Sequence, residues 1–216
     1  MAERPVFLPK NSWPFYTTEE VSFKWYAGFA LIQKRRNIEG IHEAYLALHP
    51  QARLLEASSK SANPFGESLS PFYLEGELDG RKYPVECIFQ ASKVFQKGGP
   101  FPQLLDMPAV KAKTTSLTKS AGPLLYYEYA GERWPLDPRG WLFNYIYLKA
   151  LQGHPEKLAE IEGYTGFTDV AMSPKGSTCQ AEALAMALGL RHKGLFDEAL
   201  ASIPDFLRIV CHVKEG

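Results

Sequence analysis

The chain has 216 residues, 45% hydrophobic and 22% charged, which is enough for one sizeable core and excludes disorder as the default. Its 24 basic and 24 acidic side chains cancel, so bulk charge cannot hold a nucleic acid, and such a partner would have to meet a local basic patch. Cys87, Cys179 and Cys211 are too few and scattered for a disulfide framework, and the five histidines lack metal-ligand spacing, so no metal site is expected. With no window near the length of a membrane span and no apolar leader, the chain reads as cytoplasmic.

In chain order, residues 1–20 hold three prolines and a Thr17-Thr18-Glu19-Glu20 run, which predicts an N-terminal arm ending in a helix cap. Residues 22–26 are a short strand candidate or an aromatic anchor. From Phe29 to Leu48, the spacing of Leu31, Ile38, Ile41, Tyr45 and Leu48 predicts an amphipathic helix. Its Lys34, Arg35 and Arg36 form the most basic short run, either a solvated face or a phosphate-contacting patch. Residues 54–59 read as a strand that leads into a loop of small residues from Lys60 to Gly66, where backbone donors and Lys60 suit an anion.

Residues 72–76 and 81–83, turned at Asp79-Gly80, predict a β-hairpin. Pro84 then opens a helix expected to run to Lys97, where Gly98-Gly99-Pro100 stops it. Short helices are expected over 101–105 and 108–120, the second bringing Lys111, Lys113 and Lys119 near one another. Residues 124–129 read as a strand or a continuing helix, with helix preferred, and 141–151 as a strongly apolar helix. A short polar helix follows over 155–161, then a small edge strand or extended loop over 167–172. A helix over 178–190, capped by Ser177 or Thr178, and a last helix pair or hairpin over 194–209 complete a mostly α chain with a small β-sheet, an α+β class.

Within the central helix, Glu86, Gln90 and Lys93 are four and three residues apart. At about 3.6 residues per turn they share one face of an otherwise apolar helix. A carboxylate in such a setting is unfavourable unless paired or used, although Glu86 could simply complement the helix dipole and Lys93 be a solvated side chain. A fixed carboxylate can stabilise developing positive charge or take a proton. Lys93 could hold a phosphate, tune the Glu86 carboxyl, act as an amine nucleophile, or pair with a loop carboxylate. Gln90 could orient Glu86 or a substrate hydroxyl.

The text ahead of that face, Leu69-Ser70-Pro71-Phe72-Tyr73 followed by Asp79-Gly80 and Glu86-x-x-x-Gln90-x-x-Lys93, resembles the NADAR family signature. Ser59-Lys60-Ser61, Ser92-Lys93-Val94-Phe95 and Cys179-Gln180-Ala181 look most like the branch paired with DarT-type toxins, which ADP-ribosylate DNA. The resemblance implies a single-domain NADAR-like fold over 53–216, with residues 1–52 as an N-terminal extension packed on it. It also implies Glu86 as the catalytic carboxylate, Lys93 and Asp169 as further catalytic residues, and Lys60, Ser70, Phe72, Gln90 and Trp141 as substrate contacts. Lys34, Arg35, Arg36, Lys111 and Lys113 would meet the DNA backbone.

The activity so implied is hydrolysis of ADP-ribose from guanine in DNA, with no cofactor, ADP-ribosylated DNA as substrate, ADP-ribose as product and a DarT-type toxin as functional counterpart. Two alternatives are an N-glycosidase acting on phosphorylated riboflavin-pathway intermediates and a non-catalytic module binding ADP-ribose or the toxin. The chain departs from the family pattern at Pro71, where asparagine is usual, at Cys87, where histidine is frequent, and in the late motif. There, Ala171-Met172-Ser173-Pro174 continues without the expected Asp, Trp and Gly.

Overall fold

The computed structural model describes residues 1–172 and 179–213. In chain order they form β1 (Ala2–Pro9), β2 (Tyr16–Phe23), α1 (Leu31–Leu48), β3 (Leu54–Glu56), α2 (Pro64–Ser68), β4 (Glu75–Leu78), β5 (Arg81–Pro84), α3 (Val85–Ala91) and β6 (Lys93–Phe95). A short 3-10 turn (Pro102–Leu104) precedes α4 (Ala109–Thr114), α5 (Ser116–Lys119), β7 (Leu124–Tyr129), β8 (Glu132–Trp134), α6 (Trp141–Gln152) and α7 (Pro155–Ile161). The chain closes with β9 (Gly166–Thr168), α8 (Gln180–Lys193), α9 (Phe196–Ala199) and α10 (Ile203–Ile209). Helix, at about 42%, outweighs strand, at about 21%, in an α+β arrangement with small sheets, as the sequence implied. No helix among the described residues is long and apolar enough to cross a membrane.

The chain divides into two compact units, one made of Met1–Ser70 with Pro155–Gly216 and the other of Pro71–His154. Residues 1–52 therefore share a unit with residues 53–70 and with the C-terminal segment. The expected N-terminal arm is instead a full β-hairpin, with β1 and β2 antiparallel from Ala2 opposite Phe23 to Pro9 opposite Tyr16. Thr17, Thr18, Glu19 and Glu20 do not cap a helix. They continue in extended backbone along the outer edge of the sheet, where β-branched and charged side chains suit an exposed strand.

In the first unit the sheet order is β2-β1-β9-β3. β9 is thus an interior strand, parallel to β3 (Leu55 opposite Phe167) and bridged to β1 at Phe7, which corrects the expectation of an edge strand or loop. Its Gly166-Phe167-Thr168 backbone is buried, which a three-residue strand can sustain only with partners on both sides. Val6, Val21, Phe23, Ile38, Ile41, Tyr45 and Val170 fill the space between the sheet and α1. α8 packs on β1, β2 and β9 as an Ala/Leu-rich helix buried from Ala183 to Leu190, with its last turn, Arg191 to Lys193, exposed. Its expected caps, Ser177 and Thr178, lie outside the described residues, and Cys179 takes the N-cap position.

In the second unit, Asp79 and Gly80, both with positive φ, close the expected β4–β5 hairpin with Leu78 opposite Arg81. α3 follows at once but stops at Ala91, six residues short of the expected Lys97. The reason is tertiary. The Ser92 carbonyl accepts from Glu128 N, Ala91 O accepts from Phe101 N, and residues 93–95 pair antiparallel with β7. Residues 124–129, expected as helix, are that β7 strand, joined to β8 through Ala130 and Gly131, both at positive φ. Tyr126, Tyr127 and Tyr129 are side chains that favour a pleated surface. Behind α3, α6 is buried along nearly its whole length and packs on α3 and β4.

Gly189 in α8 decides how closely the helix approaches the β1–β2 turn. A Cβ there would fall 2.0 Å from Phe15 O and 2.5 Å from Lys10 O, so backbone would have to move. Gly189→Ala is expected to lower stability by about 1–3 kcal/mol, despite alanine's better helix propensity. Urea unfolding followed by circular dichroism checks this, and an unchanged or higher midpoint refutes it.

Candidate active site

α3 begins at Val85 directly after β5, so its first turn is anchored by the hairpin: Val85 N donates to Leu74 O and Glu86 N to Pro71 O, each at 2.9 Å. This fixes Glu86 in an otherwise apolar helix at 3% exposure. Its two carboxylate oxygens have different partners. Gln90 Nε2 donates to Oε1 at 2.7 Å, one turn along the same helix, and Lys113 Nζ lies 3.3 Å from Oε2. The Lys113 side chain is half exposed, so solvent screens the ion pair and its effect is orienting more than stabilising.

Lys93 Nζ donates to Gln90 Oε1 at 2.9 Å, so Gln90 bridges an acid and a base. The expectation that Glu86, Gln90 and Lys93 point together is met by a different geometry. Glu86 and Gln90 share one helix face, whereas Lys93 leads β6 and is brought back by the strand. Gly99 makes this possible: at φ 110° it sits where a Cβ would lie 2.3 Å from Lys93 O. The Lys93 ammonium lies over the Phe89 ring at 4.3 Å, and that of Lys113 over Phe72 at 5.2 Å. Burial pushes the Lys93 amine down to about 8 from its usual 10.5, with Lys113 adding to the drop and Glu86 opposing it.

Phe72, expected as a substrate contact, is partly buried against the apolar cluster that includes Cys87, Leu104 and Ala112, and lies beneath Lys113. Trp141, expected to wall a pocket, is only 2% exposed. Its indole N–H donates to Pro135 O at 2.9 Å, and its ring meets Trp134 edge-on. In this arrangement the indole faces the core. Lys111 is exposed on α4.

The remaining expected residues belong to the first unit. Asp169 follows β9 at 7% exposure. Its Oδ1 accepts from Ala171 N, and the Cys179 thiol donates to Oδ2 at 3.9 Å. Burial, with Asp169 next in effect, holds that thiol well above its ordinary value. Lys60 is partly exposed, with its backbone N–H on Ser58 Oγ, and Ser70 is buried. The Ser173–Thr178 part of the altered late motif lies outside the described residues.

Two features did not follow from the sequence. One is the approach of Lys113 to Glu86. The other is a polar chain in the first unit. Buried Glu56 accepts from Ser58 Oγ (2.5 Å) and Val170 N (2.9 Å) on Oε1, and from Thr168 Oγ1 (2.7 Å) on Oε2. Thr168 in turn lies 2.9 Å from His42 Nε2, which therefore donates to it. Burial outweighs the hydrogen bonds and raises the Glu56 carboxyl above its ordinary value, and burial also lowers His42 to about 4. This chain locks the end of β3, and with it the start of the Lys60 loop. The signal available was a glutamate inside the apolar run Leu54-Leu55-Glu56-Ala57.

The second unit thus presents a buried carboxylate between an amide and an ammonium, with a second, readily deprotonated amine close by. No curated protein matches the chain in sequence. The family model described as DarT1-associated NADAR antitoxin matches it over residues 2–216, nearly its full length. The chain therefore belongs to the DarT1-associated NADAR antitoxins, within a family of N-glycosidase-like hydrolases.

Proposed function

We propose that this antitoxin is an ADP-ribosyl glycohydrolase that removes ADP-ribose from guanine bases of DNA, reversing the mark left by a DNA ADP-ribosyltransferase toxin. The observation that supports it most is the Glu86 carboxylate, buried at 3% exposure and held from both oxygens by Gln90 and Lys113. As the bond between the ribose anomeric carbon and the guanine nitrogen breaks, the electron pair leaves with guanine and positive charge develops on the sugar. A fixed carboxylate in a poorly solvated place stabilises that charge more than water does. Water then forms the new bond to the anomeric carbon. Its proton passes to Glu86 and finally to the departing guanine, so one water is consumed and free ADP-ribose results. Lys60 and Asp169, carried by the first unit, remain proposed substrate and catalytic residues, and DNA is the proposed partner. The site of action is the cytoplasm.

Lys93 supports a second, compatible role. With its amine near 8, about a tenth is uncharged at neutral pH, against well under a thousandth for an ordinary lysine. A free amine can condense with the aldehyde of an opened ribose, releasing water and forming an imine that water later cleaves. A protonated Lys93 serves equally to hold a phosphate, and the two states exchange within the physiological range.

Two outcomes are expected. On a guanine-ADP-ribosylated oligonucleotide, the wild-type protein releases ADP-ribose by mass spectrometry, and Glu86→Gln slows release by about 100-fold or more while its melting curve stays cooperative. Equal rates for the two proteins, or no release by either, end the proposal. For Lys93, acylation by an amine-reactive ester, read on the tryptic peptide, depends on the uncharged form. It should rise with pH and reach half its plateau near pH 8. A rate still climbing steeply at about pH 10 contradicts the lowered value.

A further inference from the structure

β3 and β9 run parallel with Glu56 opposite Thr168, so both leave the sheet at the same end, one into the Lys60 loop and the other into the turn that carries Asp169. Loops beyond the carboxyl ends of parallel strands are where open α/β sheets place their ligands. Glu56 stands at that divergence, 3% exposed, and its carboxylate reaches both segments. Towards the first, Oε1 accepts from Ser58 Oγ at 2.5 Å, and Ser58 Oγ in turn accepts from Lys60 N at 3.2 Å. Towards the second, Oε1 also accepts from Val170 N at 2.9 Å and Oε2 from Thr168 Oγ1 at 2.7 Å, so the residues on either side of Asp169 are both held. His42 Nε2, from α1, steadies the Thr168 hydroxyl at 2.9 Å.

We infer that Glu56 is a positioning residue, the common anchor that sets the Lys60 loop and the Asp169 turn in one fixed relation. The roles of Lys60 and Asp169 come from the glycohydrolase reading, on which this rests; the anchoring of their segments does not depend on it. A leucine would fill nearly the same space and seal the ends of the two strands without the cost of a buried charge. What a leucine cannot do is accept. A carboxylate offers two oxygens and about four acceptor positions, and donors from two separate segments converge on them here. These bonds fix direction as well as distance. Asp169 Oδ1 accepts from Ala171 N at 2.9 Å and the Cys179 thiol donates to Oδ2, so the carboxylate is turned by its own surroundings and its place follows from its backbone. Holding Thr168 and Val170 therefore places Asp169, just as holding Ser58 places Lys60.

Variants of the full chain that cut one branch at a time test this. Ser58→Ala removes the link to Lys60, Thr168→Val the side-chain link beside Asp169, and Glu56→Leu both. A melting curve checks folding, and the first two, which keep most of the side-chain volume, carry the test if Glu56→Leu does not fold. On a guanine-ADP-ribosylated oligonucleotide, Ser58→Ala is expected to raise KM by about fivefold or more, roughly the worth of one hydrogen bond, with kcat near wild type. Thr168→Val should lower kcat by a similar factor with KM near wild type, and Glu56→Leu should do both. A role in stability alone would not split the two constants. Amide exchange, read by mass spectrometry, needs no turnover: residues 57–61 should exchange faster in Ser58→Ala, residues 169–172 in Thr168→Val, and both segments in Glu56→Leu. Folded variants with wild-type kcat and KM, or single-branch variants that move the same constant, overturn the inference. So does unchanged exchange in the variants, whether or not the wild type turns over. No release by the wild type, with exchange altered as expected, sinks the glycohydrolase reading and leaves Glu56 as the anchor of both segments.

Discussion

The chemistry proposed for the second unit depends on keeping one carboxylate, Glu86, out of water while leaving it able to act. Glu86 would be costly in an apolar helix if it stood alone, and removing its partners would leave an uncompensated buried charge. Gln90 and Lys113 meet that requirement with neutral and charged donors on different oxygens, and neither fills the second lone pair of its oxygen. The carboxylate is consequently oriented but still able to accept a proton or face a cationic sugar. Gln90 also ties Lys93 into the group, so the acid and the amine are held by one amide whose own rotamer is fixed from both ends.

That fixation reaches into the scaffold. The β4–β5 hairpin sets the first turn of α3 through two backbone hydrogen bonds, and β7 ends the helix by claiming the backbone beyond Ala91. Behind it, α6 and the Phe89, Phe143 and Tyr127 rings hold α3 in register. The first unit applies the same logic in another form. Glu56 is buried among three donors, with Thr168 passing the network to a histidine kept uncharged by burial. There the polar chain serves to lock a loop.

Where local chemistry decides, the sequence was readable. Asp79-Gly80 announces its hairpin, Pro84 its helix start, Trp141 and the apolar residues after it their helix, and the Glu86 to Gln90 spacing their shared helix face, whereas Lys93 reaches Gln90 from a strand and not from the helix. Long-range pairing was less readable. Lys93-Val94-Phe95 looks helical beside Ala91, yet becomes strand because β7 offers it a ladder, and no local signal at residue 93 encodes a partner at residue 127. The β7–β8 turn was legible in principle, but Ala130-Gly131 is a weaker marker than Asp79-Gly80, although both turns have positive φ at both positions. Thr17 to Glu20 carry the composition of a helix cap, and only pairing with β1 makes them strand. The ion pair of Lys113 with Glu86 spans 27 residues and three elements, a separation that a spacing rule cannot bridge.

The sheet order β2-β1-β9-β3 threads a late strand between two early ones. During synthesis, the hairpin and β3 emerge long before residue 166, and β3 then has no neighbour on either side. The second unit is contiguous and can settle while the first still waits for its middle strand. A chain halted near residue 154 would thus carry the complete Glu86 group beside an unzipped sheet edge open to unwanted pairing.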